Sequence, residues 1–246
     1  ERVEYRGYDS SGIATIGHDQ LQLCRAVGKL SELKVKIKEK PVLGSVGIGH
    51  IRWATHGGVT QENAHQHLAN SEVAIVHNGI IENYAELKKE LIEKGCVFIS
   101  DTDSEVLAHL FAHAVREGCV PVEALRFVLS KIEGAFAFAA ISLSNPETLM
   151  VARNASPLVI GFTDEMAIVA SDAIAMAHLT RQVTYLKDND YAVIRAQSCD
   201  IFNGDDEPAN REIVHVKASP ILLDKAGFRH YMEKEIHEHP KAVGET

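Results

Sequence analysis

Four short polar clusters stand out, each attached to an apolar run: Gly49-His50-Ile51-Arg52-Trp53-Ala54-Thr55-His56-Gly57, Asn63-Ala64-His65-Gln66-His67, Val76-His77-Asn78-Gly79 and Asp101-Thr102-Asp103-Ser104-Glu105. Loops this rich in His, Arg, Asn and Asp build sites for polar small molecules. Arg52 ends an apolar stretch, where its planar guanidinium can be held still and grip a carboxylate through two parallel hydrogen bonds. A strand-end arginine by itself also reads as an ordinary surface ion pair. The following Trp53-Ala54-Thr55-His56-Gly57-Gly58, a large aromatic and then small or flexible residues, suits a loop that closes over a ligand. Trp53 alone reads more often as core. Asp103 stands where a helix begins, a position at which the helix dipole already favours an acid. Its functional reading is a receptor for an ammonium group, and together Arg52 and Asp103 would hold both ends of an α-amino acid.

Asn78-Gly79 has two readings. Asn-Gly after an apolar strand is a strong signal for a type I′ hairpin turn. An Asn amide and a Gly backbone N–H pointing the same way would instead form an oxyanion hole for acyl transfer. Ile80-Ile81-Glu82 leads straight into a helix start at Asn83, which leaves little room for a returning strand.

The histidines support a competing chemistry. The chain has 13, among them the i,i+4 pair His109 and His113, whose spacing would put both on one helix face as in a metal site. The segment reads His109-Leu110-Phe111-Ala112-His113, without the glutamate of a metallohydrolase motif, and no carboxylate or cysteine set completes a four-ligand shell. No nucleophile elbow, phosphate-binding loop or dinucleotide fingerprint is present either.

The elements that must position these clusters follow from periodicity. Strands are predicted near Gly12–Ile16, Gln22–Ala26, Val46–Arg52 and Val73–His77, and helices near Tyr84–Lys94, Asp103–Glu117 and Pro121–Ile132. A strand-rich half follows, at Phe136–Ser142, Leu149–Arg153, Leu158–Gly161, Ala167–Ala170, Val183–Leu186, Tyr191–Arg195 and Ile213–Lys217, with a short helical piece near Asp172–Ala177. Strands bracketing a run of helices point to an α+β layered architecture with antiparallel sheets. Asn83 with Glu86 and Thr102 with Glu105 fit the capping-box pattern, which puts Asp103 in a first helical turn. Phe228–Pro240 reads as an acidic amphipathic helix.

With 246 residues, 46% of them hydrophobic, the chain can bury a substantial core. A net charge of -9 opposes attraction to nucleic acid or anionic membranes. No apolar run approaches the roughly 18 residues of a membrane span. Cys24, Cys96, Cys119 and Cys199 lack paired spacing and read as thiols of a reducing compartment.

Together with Glu4-Tyr5-Arg6-Gly7-Tyr8-Asp9-Ser10-Ser11-Gly12 and His230-Tyr231-Met232-Glu233-Lys234-Glu235-Ile236, the four clusters closely resemble the glutaminase domains of the glucosamine-6-phosphate synthases, which are class II glutamine amidotransferases. The resemblance covers nearly the whole chain. It implies a four-layer αββα sandwich of antiparallel sheets, the N-terminal-nucleophile hydrolase type, with the glutaminase domain at 1–227 and the start of a linker to a sugar isomerase domain at 228–246. It also implies a terminal cysteine thiol that attacks the glutamine side-chain amide, its own α-amine as general base, and a glutamyl thioester. Carried over, Arg52 holds the α-carboxylate and Asp103 the α-amino group, Asn78 and Gly79 form the oxyanion hole, Thr55 and His56 lie on the closing loop, and Trp53 gates the ammonia passage. The chain opens at Glu1-Arg2-Val3 and has no cysteine before Cys24, so the nucleophile is not among these residues and they are expected to be inactive alone.

The implied partners are glutamine or glutamate and a sugar isomerase domain that binds fructose 6-phosphate, in a cytoplasmic homo-oligomer, with no cofactor, nucleic acid or membrane. The alternatives are the glutaminase domain of another class II amidotransferase, a non-catalytic glutamine-binding relative and, more remotely, a histidine-based metallohydrolase. Metal analysis of untagged protein separates the last: far less than one equivalent is expected, and about one per chain, lost on replacing His109 or His113, would establish the metal chemistry.

Overall fold

The computed structural model describes residues 7–54, 57–216, 228, 233, 234, 236 and 237. The chain begins with a hairpin, β1 (Ser10–Gly17) and β2 (Gln20–Val27), turned at His18 and Asp19, both at positive φ as a type I′ turn requires. Helix α1 (Leu30–Glu39) follows and returns the chain to β3 (Val46–Arg52), which pairs with β1. Next come β4 (His67–Ala69), β5 (Val73–Ile81) and three helices, α2 (Tyr84–Glu93), α3 (Glu105–Arg116) and α4 (Pro121–Leu129). The second half holds β6 (Gly134–Ser142), β7 (Asn145–Asn154), β8 (Val159–Phe162), β9 (Ala167–Ala170), a 3-10 turn at Ala173–Ala175, β10 (Gln182–Tyr185), β11 (Tyr191–Arg195), β12 (Ser198–Phe202) and β13 (Ile213–His215).

All ladders between these strands are antiparallel. They form a six-stranded sheet in the order β12-β11-β7-β6-β5-β4, a three-stranded sheet β2-β1-β3 and a four-stranded sheet β13-β10-β8-β9. Period-two alternation makes the six-stranded sheet apolar on both faces. Phe136, Phe138 and Ala140 join Ile75, Met150 and Val193 against Leu87, Leu91, Phe111 and Leu125 of α2, α3 and α4. The intervening Ala137, Ala139 and Ile141 join Ala74, Val151 and Ile194 on the other face, against Ala14, Ile16 and Ile48 of the small sheet and Leu158 and Ile160 at β8. Outside this second layer, α1 packs on β1 and β2, and Met176 with Ala173 covers Val159 and Val183. The result is the αββα sandwich, with the second β layer in two parts.

The structure corrects several local expectations. Asn78-Gly79 is not a turn: β5 runs on to Ile81 and pairs with β6 throughout, Asn78 opposite Ala137 and Gly79 opposite Phe136. Gly79 makes this possible, with φ 134° and a position where a Cβ would lie 2.0 Å from the Ala135 carbonyl oxygen. Neither capping box forms. Asn83 donates to the Lys131 carbonyl and accepts from the Glu133 amide, so it ties α2 to the start of β6. Glu105 is the first residue of α3 and reaches back to the amides of Ile99 and Ser100, which puts Asp103 in the turn before the helix. Helix α1 and strands β4 and β12 are additional elements; α1 buries only Leu33, too little for a readable apolar stripe. The 228–240 helix lies largely outside the described residues. No helix among the described residues is long and apolar enough to cross a membrane.

Phe111 is fully buried and meets Phe138 edge-on with ring centroids 5.6 Å apart, so it joins the helical layer to the central sheet. Phe111→Ala should lower unfolding free energy by about 3–5 kcal/mol in a denaturant titration, with the slope unchanged.

Candidate active site

A cavity of about 850 Å3 lies between the sheets, lined by β3, β5, β6 and β9 and by Thr102-Asp103-Ser104 before α3. β3 and β9 are the end strands of their sheets. Arg52, Trp53, Asn78, Gly79 and Asp103 all line it, so residues far apart in sequence converge there.

Arg52 is buried at the end of β3. Its Nη1 donates to the Gly58 carbonyl at 3.0 Å and its Nη2 to the Gly57 carbonyl at 3.4 Å, which draws the following loop down onto it. Asn63 pins that loop from behind, donating to the Gly58 carbonyl and to Asp101 and accepting from the Asp101 amide. Burial lowers the Arg52 pKa, opposed by the carboxylates of Asp9 and Asp103. Asp9 also accepts from the Ala54 amide at 2.8 Å, fixing the chain just past Trp53. Trp53 is 57% exposed and its ring lies 5.5 Å from that of Tyr8, a lip rather than a core residue. Thr55 and His56 lie outside the described residues.

Asp103 is likewise buried. Its Oδ2 accepts from the Ile81 amide at 2.8 Å and its Oδ1 from the Ser104 hydroxyl at 3.4 Å. A buried cation and a buried carboxylate therefore face one cavity, the arrangement that an amino-acid zwitterion complements.

Asn78 sits on the cavity side of β5, with its Oδ1 2.8 Å from Nε2 of His50 on β3. His50 is one of four neighbouring histidines, of which His50, His65 and His77 line the cavity. Its ring is 4.2 Å from that of His65, which in turn lies 4.6 Å from His67. His67 Nε2 meets the Thr102 hydroxyl and His77 Nδ1 the Ser104 hydroxyl. Burial, aided by neighbouring positive charge, pushes His50 and His77 down to about 4 and His67 to about 3, and His65 well below its ordinary range. All four are neutral at pH 7. For Glu105, burial works upward, but the nearby His109 ring and hydrogen bonds from the Ile99 amide and from Ser100 outweigh it and hold the pKa down to about 2.

His109 and His113 do not converge. His109 lies against Phe98 and 3.7 Å from Glu105, whereas His113 lies against Phe127. Among the described residues no group of His, Cys, Asp and Glu is arranged to hold a metal. The four cysteines are free thiols and none lines the cavity. Sequence reasoning missed His50, Asp9 and Asn63 as site residues. For His50 the signal was present: it lies two residues before Arg52 and hence on the same face of β3.

A family model for the glutamine amidotransferase domain matches residues 50–178, more than half of the chain. The chain belongs to this family. The glutamine–fructose-6-phosphate aminotransferase (isomerizing) of Mesorhizobium japonicum is 48% identical to this glutamine amidotransferase domain over all 246 residues, and that of Bradyrhizobium diazoefficiens 46%. The chain spans 40% of the length of both relatives. Among solved structures, the glutamine phosphoribosylpyrophosphate amidotransferase of B. subtilis with ADP and GMP is 27% identical with a TM-score of 0.69, covering 82% of this chain and 44% of that one. A glutamine aminotransferase class-II domain protein from Silicibacter pomeroyi shares the fold at 16% identity and a TM-score of 0.53, covering 79% of this chain and 91% of that one.

The buried histidines of this amidotransferase domain give its stability a definite pH dependence. Their folded pKa values lie below the unfolded value near 6.5, so below that pH the unfolded chain binds protons that the native chain refuses. Stability should be full above about pH 7 and fall between about 6.5 and 4, by up to about 1.4 kcal/mol per pH unit for each histidine. Denaturant midpoints at pH 7.5, 6 and 5 measure this; a midpoint constant across them would contradict the buried, neutral assignment.

Proposed function

We propose that this chain is the glutamine-hydrolysing domain of a glutamine–fructose-6-phosphate aminotransferase, releasing ammonia for glucosamine 6-phosphate synthesis. The observation that carries the reading is the convergence of Arg52, Asp103 and Asn78-Gly79 on one cavity, in a chain 48% identical along its whole length to such an enzyme. Arg52 takes the glutamine α-carboxylate and Asp103 its α-ammonium. A guanidinium carries five N–H donors, enough for a loop and a carboxylate together. The side-chain carbonyl then points to Asn78 Nδ2 and the Gly79 N–H.

The attacking thiol is that of a terminal cysteine preceding these residues, with its α-amine as base; an unperturbed α-amine, pKa about 7.7 to 8.0, suits that role. The sulfur–carbon bond forms as the amine takes the thiol proton, and the negative charge passes to the carbonyl oxygen, where Asn78 and Gly79 meet it. As the carbon–nitrogen bond breaks, that proton goes to the departing nitrogen and ammonia leaves. Water then cleaves the thioester to glutamate. Thr55 and His56 lie on the loop that closes over glutamine, and Trp53 stands at the ammonia exit. Residues 1–227 make up the glutaminase domain, and 228–246 begin the linker to a sugar isomerase domain that uses the ammonia on fructose 6-phosphate. The whole protein is a cytoplasmic homo-oligomer.

Glutamate release tests this. The 246-residue chain should bind glutamine without hydrolysing it, and joining it to a segment with an unblocked terminal cysteine should create glutaminase activity. In that protein Asp103→Asn should weaken glutamine binding by about 2 kcal/mol, the scale of a hydrogen bond to a charged group. Asn78→Ala should lower kcat by roughly 100- to 1,000-fold. Hydrolysis by the 246-residue chain, or full kcat after Asn78→Ala, would break the mechanism at a named step.

A further inference from the structure

An oxyanion hole needs its Asn amide turned one way only, NH2 toward the substrate and oxygen away, because the reverse presents a lone pair to the developing negative charge. Strand geometry does not fix that choice: Asn78 is an exposed residue of β5, and its terminal torsion has two broad wells. What meets the amide is His50, whose Nε2 lies 2.8 Å from Asn78 Oδ1. His50 projects from β3 on the same face as Arg52, so the contact crosses from one β layer to the other. The imidazole is held in turn, with the His65 ring 4.2 Å away and the His67 ring meeting that of His65 edge-on at 4.6 Å.

Resting on the amidotransferase reading above, we infer that His50 is a positioning residue for catalysis: it carries its proton on Nε2, donates it to Asn78 Oδ1, and so locks the Asn78 NH2 toward the cavity. The neutral imidazole has a single N–H, and the acceptor Oδ1 requires that proton on Nε2. Burial keeps the ring neutral, with its pKa held near 4. Both protonation states carry Nε2–H, so acid does not switch this contact; only loss of the donor does. His50 thereby acts in the reaction through Asn78 rather than as a reacting group itself.

The experiment uses the full-length protein and separates kcat from KM for glutamine by glutamate release. His50→Gln keeps a donor of similar reach, and His50→Met has a similar shape without one. Gln should retain kcat within a few-fold of the parent, whereas Met should lose about 10- to 100-fold, with KM within about 3-fold because Arg52 and Asp103 are untouched. His50→Phe, which preserves the ring contact with His65, gives a second donor-free variant should Met not fold. In an Asn78→Ala background the same His50 changes should have less than about 2-fold further effect, since the group they orient is gone. Equal losses for Gln and the donor-free variants, a change in KM alone, or full additivity with Asn78→Ala would each overturn the inference. Asn78→Ala alone reports on the oxyanion hole itself, so failure of that reading appears in a different variant.

Discussion

The carboxylate of Asp103 accepts a hydrogen bond from the amide of Ile81, and that contact joins the helical layer to the sheet that carries the site. A buried carboxylate without donors is costly, so the turn before α3 cannot drift from the end of β5 without leaving Asp103 unsatisfied. The adjoining residues repeat the arrangement. Ser104 donates to Asp103 and meets His77 on β5, while Glu105 gathers the amides of Ile99 and Ser100. Four successive residues, Thr102 to Glu105, thus have their side chains spent on holding one turn in place. Its position in turn determines where a negative charge stands in the cavity.

The opposite wall uses a different device. Strand β3 presents Arg52 and His50 on one face, and the sandwich directs both toward β5. A second cation near Arg52 would change what the cavity attracts, and burial prevents it by keeping the neighbouring histidines neutral at pH 7. Their imidazoles supply polar, shape-filling contacts without adding charge.

The large features of this arrangement were legible in the sequence because they rest on period and residue type. Periodicity located Phe136–Ser142 as a strand and the helix near Asp103–Glu117, in which Leu107, Leu110, Phe111 and Ala114 prove to be buried. Arg52, Asp103 and Asn78 each carried an ordinary structural reading beside the functional one, and it was the resemblance to the glutaminase pattern that gathered them into one candidate site. What escaped depended on partners distant in the chain. Asn83 and Thr102 look like helix caps, yet bond to Lys131 and His67, and no local pattern encodes that. The continuation of β5 through Asn78-Gly79 was hidden by a dipeptide that ordinarily turns, and only pairing with β6 overrides it. His50 was seen as a histidine but not as the holder of Asn78, because that relation needs the crossing of two sheets.

The sequence contains one tryptophan, and the fold stands it at the lip of the cavity, more than half exposed and against Tyr8. Near-ultraviolet light too long in wavelength for tyrosine is therefore absorbed at the mouth of the site and at no other residue of these 246. The domain carries an intrinsic optical reporter whose emission colour follows water's access to that ring. A change in the surroundings of the lip can be followed in real time without a label, with no tryptophan background from the other residues of these 246.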